Sequence, residues 1–227
     1  MSRDEEDLRR EALFQKRLAE RRLEQNQFPW STGGGDSAEF DIPKDESKLF
    51  ADRSIEDASL SDDEVERRAL LDLTSYNFWT FYKRLNYETR RARRYKRDLT
   101  LLLVSVDGLH AISERYGLQC ENNVILSSGR ILLSSIRDVD IAGRCRDDTF
   151  GVILPETPVS GAEVAAERLR TKMEAHTIMH GLDRISITAS VGGTSLLETD
   201  KQADVIVARA IETLKRSMVH GNMVSLG

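Results

Sequence analysis

Gly143-Arg144-Cys145-Arg146-Asp147-Asp148-Thr149-Phe150-Gly151-Val152-Ile153-Leu154-Pro155 reads as a β-hairpin. A short run holding Val139, Ile141 and Ala142 leads into a charged tip, and Phe150 to Leu154 runs back out. Outward from this hairpin the periodicity alternates. On the amino-terminal side, Leu99 to Val106 is almost continuously apolar, as a buried central strand should be. Gly108 to Tyr116 reads as a short helix and Asn122 to Ile136 as a longer amphipathic one. On the carboxyl-terminal side, Pro158 to Ala175 reads as a helix with Val164, Ala165, Leu169 and Met173 on one side. Ile185 to Val191 is a strand ending at Gly192-Gly193, Ala203 to Val219 a final helix, and Met223 to Leu226 a candidate edge strand. Helices and strands in this order, with one antiparallel hairpin, predict an α/β sandwich: a mixed central sheet of about five strands covered by helices. No internal repeat is present.

The residues before this domain differ in texture. Residues 1–25 are dense in Arg, Glu, Leu and Ala, with only a thin apolar stripe of Leu8, Phe14, Leu18 and Leu23, as in an exposed or partner-dependent helix. Residues 26–61 are rich in Ser, Gly, Asp and Pro and read as a disordered linker. Within it, Phe28-Pro29-Trp30 is either a stray aromatic cluster or a short docking motif for another protein. Ser61 is a good helix N-cap, and Asp62, Asp63 and Glu64 follow where the helix dipole favours acids. A long connecting helix is therefore expected over 62–97, ending near Tyr95, with Leu70, Leu73, Phe78, Phe81 and Leu85 on its apolar face. Its basic end (Arg90, Arg91, Arg93, Arg94, Lys96, Arg97) suits a helix C-terminus and reads either as a solvated face or as a contact for phosphates, the first favoured because Tyr95 alone offers no stacking platform.

Bulk properties set limits. The 227 residues are 40% hydrophobic and 31% charged, which is polar for a fully packed chain. A net charge of -5 gives no global pull toward nucleic acid or an anionic membrane. Cys120 and Cys145 form neither a disulfide framework nor a zinc pattern. The four histidines, His110, His176, His180 and His220, lack metal-ligand spacing with acids. Met1 to Asp7 is acidic without the apolar core of a signal peptide, and no apolar run approaches the ~18 residues of a membrane span. A cytoplasmic protein without membrane insertion is expected.

Several short motifs, in the right order, resemble the GGDEF domain of the diguanylate cyclase family over roughly residues 72–225. Asp72-Leu73-Thr74-Ser75-Tyr76-Asn77 looks like the family's D-x-L-T-G-L-x-N-R opening with letters missing. Ser105-Val106-Asp107 stands where the family has D-h-D, Tyr116-Gly117 matches Y-G-H, and Thr188-Ala189-Ser190-Val191-Gly192 matches T-x-S-h-G. Gly221 fits the glycine of the closing A-K-x-x-G-R-N-x-V. The domain at 98–227 thus looks like a degenerate GGDEF domain, because the signature itself reads Arg146-Asp147-Asp148-Thr149-Phe150.

Active members of this family condense two GTP molecules into cyclic di-GMP. The reaction needs carboxylates for Mg²⁺, glycines that let the hairpin backbone approach the nucleotide, and cations for the outer phosphates. By the resemblance, Ser105 replaces the first metal-binding aspartate and Arg146 and Asp147 replace the glycines. Asp148 is retained as the second potential metal ligand, and Thr149 replaces the glutamate. The guanine-reading asparagine and aspartate fall at Ser113 and Asn122, and the phosphate-holding lysine and arginine at Met218 and Asn222. The resemblance therefore implies an inactive cyclase with no catalytic residues and no Mg²⁺ or other cofactor.

A second family site, which binds the product as an inhibitor, is marked by Arg-x-x-Asp ending five residues before the signature. Arg137-Asp138-Val139-Asp140 has that spacing, and Arg168, within Ala166-Glu167-Arg168-Leu169-Arg170, matches a further arginine of the site. An arginine fork can grip the O6 and N7 acceptors of guanine. A carboxylate can accept from its N1–H and exocyclic amine. The bland alternative is a relic in which Asp140 merely caps or pairs with Arg137. The expected function is a cyclic di-GMP receptor binding through Arg137, Asp140 and Arg168, with a protein partner engaged by the amino-terminal region and the long helix either relaying the bound state or mediating dimerisation. Two alternatives are a nucleotide-independent interaction or dimerisation scaffold, and a residual cyclase or GTP binder.

Overall fold

The computed structural model describes Leu70, Leu73 and residues 78–227. The expected helix at 1–25, the linker at 26–61 and the start of the long helix lie outside the described residues. Within the unit from Asp72 to Gly227, helix α1 (Phe78–Tyr95) ends where its apolar face runs out, and Phe81, Leu85 and Ala92 are its buried apolar residues.

Strand β1 (Leu99–Val106) is buried at all eight positions. The period of two explains how. Leu102, Val104 and Val106 enter one core, and Leu99, Leu101 and Leu103 enter a second on the opposite face. With each buried Leu or Val worth about 2 kcal/mol, only a strand covered on both sides can use such a run. Helices α2 (Leu109–Tyr116) and α3 (Leu118–Leu133) follow. The hairpin is β2 (Ile141–Arg144) and β3 (Thr149–Pro155), and α4 (Val159–Glu174) comes next. A small two-stranded ribbon, β4 (Thr177–His180) and β5 (Asp183–Ser186), precedes β6 (Ala189–Ser195), α5 (Ala203–Met218) and β7 (Val224–Leu226).

The five-stranded sheet has the order β2-β3-β1-β6-β7. β1 pairs antiparallel with β3 and with β6, and β6 pairs parallel with β7 through the α5 crossover. The sheet is mixed, as the order of elements predicts. One core holds residues of α2, α3 and α4 with Ile178 and Ile185 of the ribbon, and the other those of α1 and α5. None of the described helices is long and apolar enough to cross a membrane.

Several expectations need correcting. Helix α3 starts at Leu118 rather than Asn122, because Gly117 (φ 84°) breaks the chain just before it. It stops at Leu133 rather than Ile136, where Ser134 and Ser135 turn their hydroxyls back onto the Ile131 carbonyl. Val139 belongs to no strand: it is exposed in a turn ahead of β2. Val164, expected on the packed side of α4, faces out, and Ala162, Ala165, Ala166, Leu169 and Met173 make the buried stripe. The expected strand over Ile185 to Val191 is two strands. Ile185 pairs with Ile178 in the ribbon, while β6 begins at Ala189 and runs through Gly192-Gly193 instead of ending there.

Candidate functional site

The site expected at Arg137, Asp140 and Arg168 lies in the turn between α3 and β2. The Asp140 backbone N–H donates to the Arg137 carbonyl (3.0 Å), and the Arg137 backbone N–H donates to Asp140 Oδ2 (2.8 Å). A short aspartate side chain closing its own turn in this way is an ordinary use of the residue. It occupies one oxygen only. Asp140 Oδ1 is buried with no hydrogen-bond partner. Burial pushes the Asp140 carboxyl above its ordinary pKa, and the Arg137 N–H and the charges of Arg137 and Arg168 pull partly the other way.

Arg168 comes from α4 and donates through Nη2 to the Ser135 carbonyl. One turn further along the same helix, Lys172 Nζ donates to the Ser134 carbonyl (3.3 Å). The fold thus gathers all three expected residues around one turn, with the Arg137 side of the turn exposed. Lys172 was not foreseen. The signal for it is its i+4 spacing from Arg168, which puts both cations on one helix face.

The hairpin tip, at the other end of β2, is shaped by its backbone. The Cys145 and Arg146 N–H groups both donate to the Thr149 carbonyl (2.8 and 3.0 Å). Arg144, buried in β2, folds its guanidinium over the tip and donates to the carbonyls of Arg146 (3.2 Å) and Asp147. The side chains of Arg146 and Asp147 point into solvent. Asp148 Oδ1 accepts from the Thr149 hydroxyl (2.8 Å). Burial pushes the Cys145 thiol up to about 12, so it is no thiolate at neutral pH.

Ser105, beside Thr149 and Ser190 in the register, is buried and its hydroxyl has no partner. Two residues on, Asp107 accepts three hydrogen bonds, from the hydroxyls of Thr188 (2.8 Å) and Ser190 (2.7 Å) and the Asn222 N–H (2.9 Å). This carboxylate ties the ends of β1 and β6 to the loop before β7, a role the sequence reading missed although the last letter of D-h-D marks it. Asn222 joins α4 through its side chain, accepting from Arg170 (2.9 Å) and donating to Glu174 (2.7 Å). Met218 is exposed on α5. Among the described residues, no group of three or more His, Cys, Asp and Glu is disposed to hold a metal ion.

The family model described as "Diguanylate cyclase, GGDEF domain" matches residues 73–223. The chain belongs to the GGDEF family. Its sequence is 29% identical over 180 residues to Diguanylate cyclase A of Treponema denticola, covering 74% of this chain and 48% of that protein. The chain spans about half the length of the curated relatives it matches. Two solved structures share the fold. Diguanylate cyclase SiaD of Pseudomonas aeruginosa, in complex with its activator SiaC, superposes with a TM-score of 0.65 at 22% identity, over 73% of this chain and 66% of that one. The GGDEF domain of DgcB from Caulobacter crescentus, in complex with c-di-GMP, superposes with a TM-score of 0.64 at 18% identity, over 66% and 87%.

Proposed function

We propose that this GGDEF domain is a receptor for cyclic di-GMP and does not synthesise it. The observation that carries the reading is Asp140 Oδ1, a buried carboxylate oxygen with no donor, beside two arginines. Leaving such an acceptor unpaired costs about 1–3 kcal/mol. The N1–H and exocyclic amine of a guanine supply the donor type it lacks, and a guanidinium fork takes the O6 and N7 edge. Binding of this kind needs no metal.

The other half of the proposal, absence of cyclase activity, is supported by what surrounds the tip. A magnesium–triphosphate complex is held by one or two carboxylates beside the phosphates themselves. Ser105 offers a hydroxyl, Asp107 is committed to three donors that tie β1 and β6 to the loop before β7, and one Asp148 oxygen is engaged by Thr149. The donors present do not fit the group. Met218 and Asn222 bring no cation for the phosphates, and Asn222 is already engaged by Arg170 and Glu174. A protein partner for the amino-terminal region and self-association of the long helix belong to the same proposal.

Calorimetric titration of cyclic di-GMP into the purified chain tests the receptor. Wild-type protein is expected to bind, and Arg137→Ala to lose binding; equal affinity in the two removes this site from the proposal. Incubation with GTP and Mg²⁺ is expected to give no cyclic di-GMP, and product formation would restore an enzyme. A second reading has its own observation. Asp140 closes its own turn and Arg168 already has a carbonyl partner, as in a relic kept for packing. Failure to bind cyclic di-GMP or GTP at high micromolar concentration favours that scaffold reading.

A further inference from the structure

The converging residues of the turn do not balance their proposed ligand. Arg137 and Arg168 bring two positive charges and Asp140 one negative, leaving a single net positive charge. Asp138, exposed within the same turn, removes even that. A cyclic dinucleotide carries two phosphodiesters and so two negative charges. A site that neutralises it needs another cation within reach.

Lys172 has the right position. It follows Arg168 by one helical turn, and the two side chains reach consecutive carbonyls, Ser135 and Ser134, where α3 ends. The Arg137–Asp140 turn begins two residues later. Lys172 is also uncommitted in charge. Glu167 and Glu174 of its own helix both pair with Arg170 (2.8 and 3.0 Å), and the contact Lys172 makes is a 3.3 Å bond to a neutral carbonyl in an exposed position. A phosphate oxygen adds the attraction of an opposite charge, which the neutral carbonyl lacks. A phosphate arriving beside Arg168 would therefore draw the ammonium off Ser134 at little cost.

We infer that Lys172 is a fourth ligand-binding residue of this site, a cation that moves from the Ser134 carbonyl to a phosphodiester oxygen of the bound dinucleotide, an inference that rests on the receptor reading above. Its contribution is bounded by exposure. A solvent-exposed ion pair gives up to about 1 kcal/mol, or about fivefold in affinity. The motion is confined to one flexible side chain and needs no change in the backbone.

The experiment is cyclic di-GMP titration of the full chain and of Lys172→Gln and Lys172→Arg, at low and at high salt, with thermal melts to show that each variant is folded. The expected result is three- to fivefold weaker binding by Lys172→Gln at low salt, as such exposed pairs allow. Lys172→Arg should stay within about twofold of wild type, since it keeps the charge. High salt should shrink the difference between wild type and Lys172→Gln, because it screens the lost interaction. Wild-type binding with Lys172→Gln unchanged at both salt concentrations overturns this inference and leaves the receptor standing. No binding by wild type overturns both.

Discussion

Asp140 uses its two oxygens differently, and this gives the site a pH dependence. Oδ2 accepts the Arg137 N–H, while Oδ1 is buried and has no hydrogen-bond partner. Burial raises the carboxyl above the ordinary aspartate value of about 3.9, against the pull of the Arg137 N–H and the charges of Arg137 and Arg168. The sign follows from a raised acid. The folded chain holds this proton more tightly than the unfolded chain. That contribution to stability is present below the unfolded pKa and is lost as pH rises through the folded one. Ligand binding runs the other way. A protonated Asp140 loses the negative charge that makes its unpartnered oxygen a strong acceptor for a guanine N–H, so affinity for cyclic di-GMP should fall as pH drops through the raised pKa. The loss should begin at higher pH than an ordinary aspartate would give. Calorimetry from about pH 7.5 down to the ordinary aspartate value of about 3.9 should show it. Asp140→Asn should bind weakly with a flat profile over that range; a wild-type affinity flat over the same range removes Asp140 from ligand contact.

Among the elements, β6 shows most clearly what sequence reading reached and what it missed. Gly192-Gly193 reads locally as a strand ending, yet the strand runs through both. The reason is tertiary. A Cβ on Gly192 would lie 2.1 Å from the Leu214 backbone nitrogen and 2.2 Å from its Cα, so helix α5 rests directly on the strand. Neither atom is the end of a side chain that could rotate away. Gly192→Ala should therefore destabilise the domain by about 3 kcal/mol or more, at the upper end of ordinary overpacking. Chemical denaturation measures this, and a loss under ~1 kcal/mol would show that α5 is not held so closely. Elements with a strong period were legible. β1 was read to the residue and α5 to within one, because continuous and amphipathic runs leave few alternatives. The β4–β5 ribbon was not, because Ile178 and Ile185 are its only fully buried residues and the rest is exposed and polar in texture. The Arg-x-x-Asp turn was legible as a spacing. The parking of Arg168 and Lys172 on the end of α3 was not, since carbonyl partners leave no trace in side-chain identity.

At the scale of the whole domain, β2 separates the two regions that argue in opposite functional directions. The Arg137–Asp140 turn leads into Ile141, and the rewritten signature follows Arg144. Four residues of strand put them about 13 Å apart. The tip is held by the ladder of β3, by paired N–H groups on the Thr149 carbonyl, and by the buried Arg144 guanidinium on two tip carbonyls. None of these contacts involves the side chains of Arg146 or Asp147, which are exposed. Sites this far apart with no shared partners should act nearly independently. The double variant Arg146→Gly/Asp147→Gly, which rewrites the tip toward the family signature, should then keep its cyclic di-GMP affinity within about twofold of wild type. On the receptor reading it should also show no cyclase activity, because Ser105, Met218 and Asn222 are unchanged and bring neither a metal-binding carboxylate nor a phosphate-binding cation. Paired calorimetry and a GTP turnover assay measure both. A tenfold change in affinity would mean that β2 couples the two ends, and product formation would mean that the glycines alone had been limiting catalysis.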